Sequence, residues 1–123
     1  MATFVRPKIM MIGNDTMLQY LVERYAERSG YDVIAVQNVL SPQEICELHP
    51  IAILFPSIEG LEISQSLVVQ LANCDFSIIV CSSVADITRA RDLGADHCLA
   101  HPLTYDDFST AMETIKAKGA NGT

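Results

Sequence analysis

Four short stretches hold the polar groups best placed to do chemistry: Gly13-Asn14-Asp15-Thr16, Pro56-Ser57-Ile58-Glu59-Gly60, Ser82-Ser83-Val84-Ala85-Asp86 and His101-Pro102-Leu103-Thr104. Each follows an apolar run. A glycine-bearing turn before a helix can cradle an anion on its backbone N–H groups. In the first stretch, however, Asp15 repels an anion, and Asp15 or Thr16 reads more simply as a helix N-cap. Asp15 and Glu59 could hold a cation only if their loops supplied the near-octahedral oxygen set that Mg²⁺ demands. Ser57 offers a hydroxyl to a kinase, but a loop serine is first of all a turn residue. His101 could change its charge near neutral pH. His49 and His97 have no partner at metal-ligand spacing and read as surface residues.

Two further chemistries fail on their patterns. There is no glycine-rich phosphate loop and no Asp-x-His-x-x-Gly pattern, so neither a flavin, a cobalamin nor any other cofactor is assigned. The four cysteines, Cys46, Cys74, Cys81 and Cys98, include no CxxC pair and read as reduced thiols, at least two of them in apolar strand-like runs. No metal site is assigned.

The groups above must be positioned by the elements between them. Lys8 to Ile12 is nearly all apolar, as a strand covered on both faces would be. Met17, Leu18, Leu21, Val22, Tyr25 and Ala26 then recur at helical spacing, and Gly30 ends that helix. Tyr31 to Val36 reads as a second strand, and Ser41-Pro42-Gln43-Glu44 as a capping box opening a second helix. The third strand is Ile51 to Phe55, stopped by Pro56, which has no N–H for a ladder. A third helix is placed over Leu61 to Leu71, burying Ile63, Leu67, Val68 and Leu71. The fourth strand is Phe76 to Cys81. Ser83 and Asp86 open a helix running to Gly94, and His97 to Ala100 is a short fifth strand. Thr104 and Asp107 cap a last helix that buries Phe108, Ala111, Met112 and Ile115, before a flexible tail over 119–123.

Five strands alternating with five helices across 123 residues make one domain, with a parallel sheet between helical layers. In such sheets, sites form at the carboxyl ends of the strands, where all four polar stretches lie. Fifteen acids against eight bases give a net charge of −7, which opposes binding to nucleic acid. No segment is apolar enough over the roughly 20 residues a bilayer span needs, and Met1 to Lys8 lacks a secretory stretch. The chain is expected in the cytoplasm.

The four stretches, in this order, also resemble a known family. Lys8-Ile9-Met10-Met11-Ile12-Gly13-Asn14-Asp15, Ser29-Gly30-Tyr31-Asp32-Val33, Ile58-Glu59-Gly60-Leu61-Glu62-Ile63, Ile78-Ile79-Val80-Cys81-Ser82-Ser83 and Leu93-Gly94-Ala95-Asp96-His97-Cys98-Leu99-Ala100-His101-Pro102-Leu103 stand in register with its motifs. On these, over roughly residues 7 to 118, the chain resembles a response-regulator receiver domain of the chemotaxis-regulator type. The resemblance implies an α/β fold, a flavodoxin-like three-layer α/β/α sandwich with a five-stranded parallel sheet of order 2-1-3-4-5.

It also implies a pocket in which an acidic pair and an acceptor aspartate hold Mg²⁺ and take a phosphoryl group, with a lysine facing the charge. Carried over by position, the acidic pair falls on Gly13 and Asn14, the acceptor on Pro56, the hydroxyl on Ser82 and the lysine on His101. Only Ser82 keeps its chemical role. The loop after the third strand is shorter than the family's, and a slip to Phe55 or Ser57 supplies no carboxylate. Cys98 stands where the family carries a switch aromatic. The resemblance further implies a cis His101–Pro102 bond.

The reading is therefore a degenerate pseudo-receiver, not an enzyme. It would act in signal transduction by phosphorylation-independent contact with a protein partner, through the face of the fourth helix, fifth strand and fifth helix. Homodimerisation is a second mode of association it allows. The alternative is a receiver that retains phosphoryl or small-anion binding at the strand ends.

Overall fold

The computed structural model describes residues 6–37, 40–71 and 74–121. Five strands, β1 (Lys8–Ile12), β2 (Asp32–Val36), β3 (Ala52–Phe55), β4 (Ser77–Ser82) and β5 (His97–Ala100), form one sheet of order β2-β1-β3-β4-β5. Every pairing in it is parallel. This is the expected flavodoxin-like arrangement.

Side chains of successive strand residues point to opposite faces, and both faces are apolar. Ile9, Met11, Leu54, Ile79, Cys81 and Leu99 share one core with α1 (Thr16–Ser29) and α6 (Tyr105–Asn121), which bring Leu18, Val22, Ala26, Phe108, Ala111, Met112 and Ile115. Met10, Ile12, Ile53, Phe55, Ile78 and Val80 face the other way. They meet Ile45 of α2 (Pro42–Leu48), Ile58 and Leu61 of α3 (Ile58–Ile63), Leu67 of α4 (Gln65–Gln70) and Ala90 of α5 (Ile87–Asp92). Two cores on one sheet explain why the strands read as continuous apolar runs rather than alternating ones.

The local start and stop signals act largely as the sequence suggests. Gly30 closes α1 with φ 88°, a left-handed conformation that glycine adopts without steric cost. Ser41 and Glu44 form both bonds of a capping box, and the Asp107 N–H donates to Thr104 Oγ1 at 3.2 Å.

Three expectations need correcting. The single helix over Leu61 to Leu71 is two helices. Ser57 caps α3, so the helix starts earlier, at Ile58, and Gly60 lies inside it. It breaks at Ser64, which is buried and whose N–H is shared between the carbonyls of Gly60 and Leu61. The break shifts the helical phase, so Ile63 is 83% exposed while Leu61, Leu67 and Leu71 are buried. Next, Ser83 does not cap a helix directly. Its hydroxyl donates to the Asp86 carboxylate at 3.0 Å, a 3₁₀ turn spans Val84–Asp86, and α5 begins after it. The expected fourth and fifth helices are therefore α5 and α6. Finally, α6 stays helical to Asn121, beyond the point where the tail was expected to begin; the rest of that tail, residues 122 and 123, lies outside the described residues.

Candidate functional site

Parallel pairing brings the four polar stretches to one edge of the sheet. Met11 pairs with Leu54, so Gly13 and Pro56, each two positions further on, come side by side past the strand ends. A Cβ built on Gly13 would lie 2.9 Å from both Cγ and Cδ of Pro56. Real Cβ atoms do not approach that closely. The Gly13 backbone has φ 143°, which L-residues rarely adopt, and its N–H donates to the Val36 carbonyl at 3.0 Å. Pro56 is buried. The positions that the resemblance gives to an acid and to the acceptor are thus filled by a proline ring packed on a bare backbone.

Three of the remaining polar groups of the edge, Asp15, Ser57 and Ser82, bond to nearby backbone. Asp15 Oδ1 accepts from the Leu18 N–H at 3.0 Å and caps α1, which decides between Asp15 and Thr16 as the cap. Asn14 is exposed beside it. Ser57 Oγ accepts from the Gly60 N–H at 3.2 Å. Ser82 is buried, and its hydroxyl donates to the Ser83 carbonyl at 3.3 Å. His101 is exposed at the end of β5, and the bond to Pro102 is cis, as the resemblance implied.

Mg²⁺, which the resemblance implies, does not fit this arrangement. Gly13 brings no oxygen-bearing side chain and has no room for one, Pro56 lacks a carboxylate, and the Asp15 carboxylate already serves a backbone N–H. Among the described residues no three His, Cys, Asp or Glu side chains cluster as a metal site. No phosphoryl step follows from this geometry.

Cys98 pairs with Val80 in the sheet and packs against the core on the α2 to α5 side. Its thiol lies 4.0 Å from the Ile87 carbonyl of α5. Burial pushes that thiol up from its ordinary range, and Arg91 opposes the shift. Cys81, under the opposite face, is pushed up to about 12, chiefly by burial and secondly by the nearby Asp15 charge.

The sequence reading missed a cluster on the α1–α6 side. The Arg28 guanidinium sits 4.1 Å from the centre of the Tyr105 ring, and Tyr25 meets Tyr105 edge-on at 5.7 Å. The Tyr25 hydroxyl donates to the Leu103 carbonyl at 3.4 Å, tying α1 to the turn that follows Pro102. Helical spacing placed Tyr25 beside the core but could not show that its ring would reach Tyr105, far away in the chain. Across the molecule, Glu62 of α3 and Arg89 of α5 form an ion pair.

Among the described residues, no helix is long and apolar enough to cross a membrane. No family model matches the sequence, and none of the curated proteins matches it. Solved structures do match. A response regulator receiver domain protein of Clostridium thermocellum superposes with a TM-score of 0.71 at 16% identity, covering 95% of this chain and 99% of that one. The signal receiver domain of a modulated diguanylate cyclase from Desulfovibrio desulfuricans G20 gives 0.70 at 22% identity, covering 97% and 100%. A chemotaxis protein of Vibrio cholerae gives 0.69 at 12% identity, covering 90% and 99%. At these identities the likeness is one of architecture: the chain has the fold of the response-regulator receiver domains, strand order included.

Proposed function

We propose that this chain is a pseudo-receiver, a signalling module that works through contact with a protein partner and without phosphorylation, and that it is not an enzyme. The observation that carries the reading is the packing of Pro56 on Gly13, which occupies the place of the acid and the acceptor together. Substitution of one acid could leave a weak phosphate or cation site. Replacement of the acceptor by a proline ring against a glycine in a left-handed conformation leaves none.

The surface proposed for the partner is the α5–β5–α6 face. It includes an edge strand, β5, and the exposed Arg89, Arg91 and His101. A second copy of the chain is the other occupant that the reading allows. The cytoplasm remains the proposed compartment.

Amide spectra recorded during addition of Mg²⁺ and beryllofluoride test the reading. Unchanged resonances for Gly13 to Thr16 and for Ser82 to Asp86 support it. Saturable shifts in both stretches together would replace it with a receiver that still binds a phosphoryl-like anion. Photocrosslinking from Arg91, with Glu47 on α2 as the control position, tests the face. Crosslinks to partner or to a second copy from Arg91 and not from Glu47 are expected.

A further inference from the structure

The sulfurs of Cys46, near the end of α2, and Cys74, between α4 and β4, lie 2.7 Å apart. That is closer than two non-bonded sulfurs ordinarily settle, and longer than the roughly 2.05 Å of a disulfide bond. Both residues are half-buried and packed against the core between the sheet and α2 to α5. They are therefore reachable by a small reagent and held in place by apolar neighbours. The other two thiols differ. Cys81 is fully buried, and Cys98 faces a backbone carbonyl of α5.

From this geometry we infer that Cys46 and Cys74 form a reversible dithiol–disulfide site, oxidised by exchange with a low-molecular-weight disulfide. The bond would join α2 to the segment entering β4, at the amino-terminal edge of the sheet and opposite the Gly13–Pro56 contact. It closes a loop between residues 28 positions apart, so oxidation would restrict the unfolded chain and fix α2 against the segment entering β4.

The exchange balances as follows. The Cys46 thiolate attacks one sulfur of the small disulfide, whose S–S bond breaks, and the departing thiolate takes up a proton. Cys74 then loses its proton and attacks Cys46 Sγ in the mixed disulfide, and the second small thiolate leaves and is protonated. Two protein thiols are oxidised and one small disulfide is reduced to two thiols. The hydrogen bond with Cys46, with burial as the second cause, pushes the Cys74 thiol above its ordinary range. The opposite order, with Cys74 attacking first, gives the same product and the same balance. The inference is independent of the pseudo-receiver reading, because none of its residues belongs to the strand-end site.

The test uses the whole chain, equilibrated in mixtures of glutathione and glutathione disulfide, alkylated and mapped by mass spectrometry. The expected product is a Cys46–Cys74 crosslinked peptide within one chain, with Cys81 and Cys98 still alkylatable after unfolding. The oxidised protein should melt about 5 to 15 °C higher than the reduced one. Cys46→Ser and Cys74→Ser should each abolish both the crosslink and the shift, and Cys98→Ser should leave both. The wild-type protein carries the measurement by itself, whatever the stability of the variants. Separate glutathione adducts on Cys46 and Cys74, a link to Cys98, a link between two chains, or no oxidation in excess glutathione disulfide would each overturn the inference.

Discussion

Gly13 and Pro56 are complementary: the ring of Pro56 occupies the space that any side chain at position 13 would need, its Cγ and Cδ being 2.9 Å from a Cβ placed there. Gly13→Ala should therefore destabilise the fold twice over, through the clash and through φ 143°. The expected cost is about 2 to 4 kcal/mol, measured by urea unfolding. Gly13→Ala combined with Pro56→Gly should recover the part due to the clash and leave the part due to φ. A Gly13→Ala variant as stable as the wild type would mean that Pro56 does not hold this position.

The same contact bears on attempts to build a phosphorylation site here. Gly13→Asp with Pro56→Asp brings in two carboxylates, but the first in a backbone conformation that suits glycine and the second in a short loop running straight into the Ser57 cap. Calorimetric titration should give no saturable sub-millimolar Mg²⁺ binding for the wild type or for this double variant. Tight binding by the double variant alone would show that the side chains and not the backbone keep the wild type from holding Mg²⁺.

What could be read from the sequence divides by distance along the chain. Gly30, the Ser41–Glu44 box and Thr104 act on backbone groups within a few residues, and their roles follow from local rules. The two-faced strands were legible too, since β1, β3 and β4 are buried on both sides. Strand order was not, and it came from the resemblance. The break at Ser64 was hidden because the residues around it pack at helical spacing on either side, and only the exposure of Ile63 reveals the change of phase. At the candidate site, the absence of acids at the positions that the resemblance gives them was plain in the residue types. That Pro56 packs on Gly13 was not, because the contact depends on the β1–β3 register. The Cys46–Cys74 and Tyr25–Tyr105 contacts were hidden because each joins elements far apart in the chain.

Ser57 sits beside the position that the resemblance gives to the acceptor, yet its hydroxyl serves as the N-cap of α3. Ser57→Ala should cost about 1 kcal/mol by removing the acceptor for the Gly60 N–H, whereas Ser57→Asp, which can accept the same bond, should stay within a few tenths of it. Chemical denaturation of the three proteins decides this. If Ser57→Ala is neutral, the cap contributes nothing to stability and the hydroxyl is free for another role.

The buried Cys81 thiol makes stability depend on alkaline pH. Its pKa is pushed up to about 12 by burial first and by Asp15 second, from an ordinary value near 9. Because the folded value is the higher one, the contribution of the neutral thiol is complete below about pH 9, where both states hold the proton. Above that the unfolded chain loses its proton while the fold keeps it, so stability falls between about pH 9 and 12, at up to about 1.4 kcal/mol per pH unit. Tyr31, Cys74 and Cys98 are also shifted upward and add to the slope of the wild type, so the informative quantity is a difference. Unfolding free energies of wild type and Cys81→Ala, measured from pH 8 to pH 11, should show a shallower decline in the variant. At pH 8 the native protein should leave Cys81 unalkylated by iodoacetamide until it unfolds. Parallel slopes, or rapid native alkylation at Cys81, would mean that water reaches the core between β4 and the α1–α6 layer.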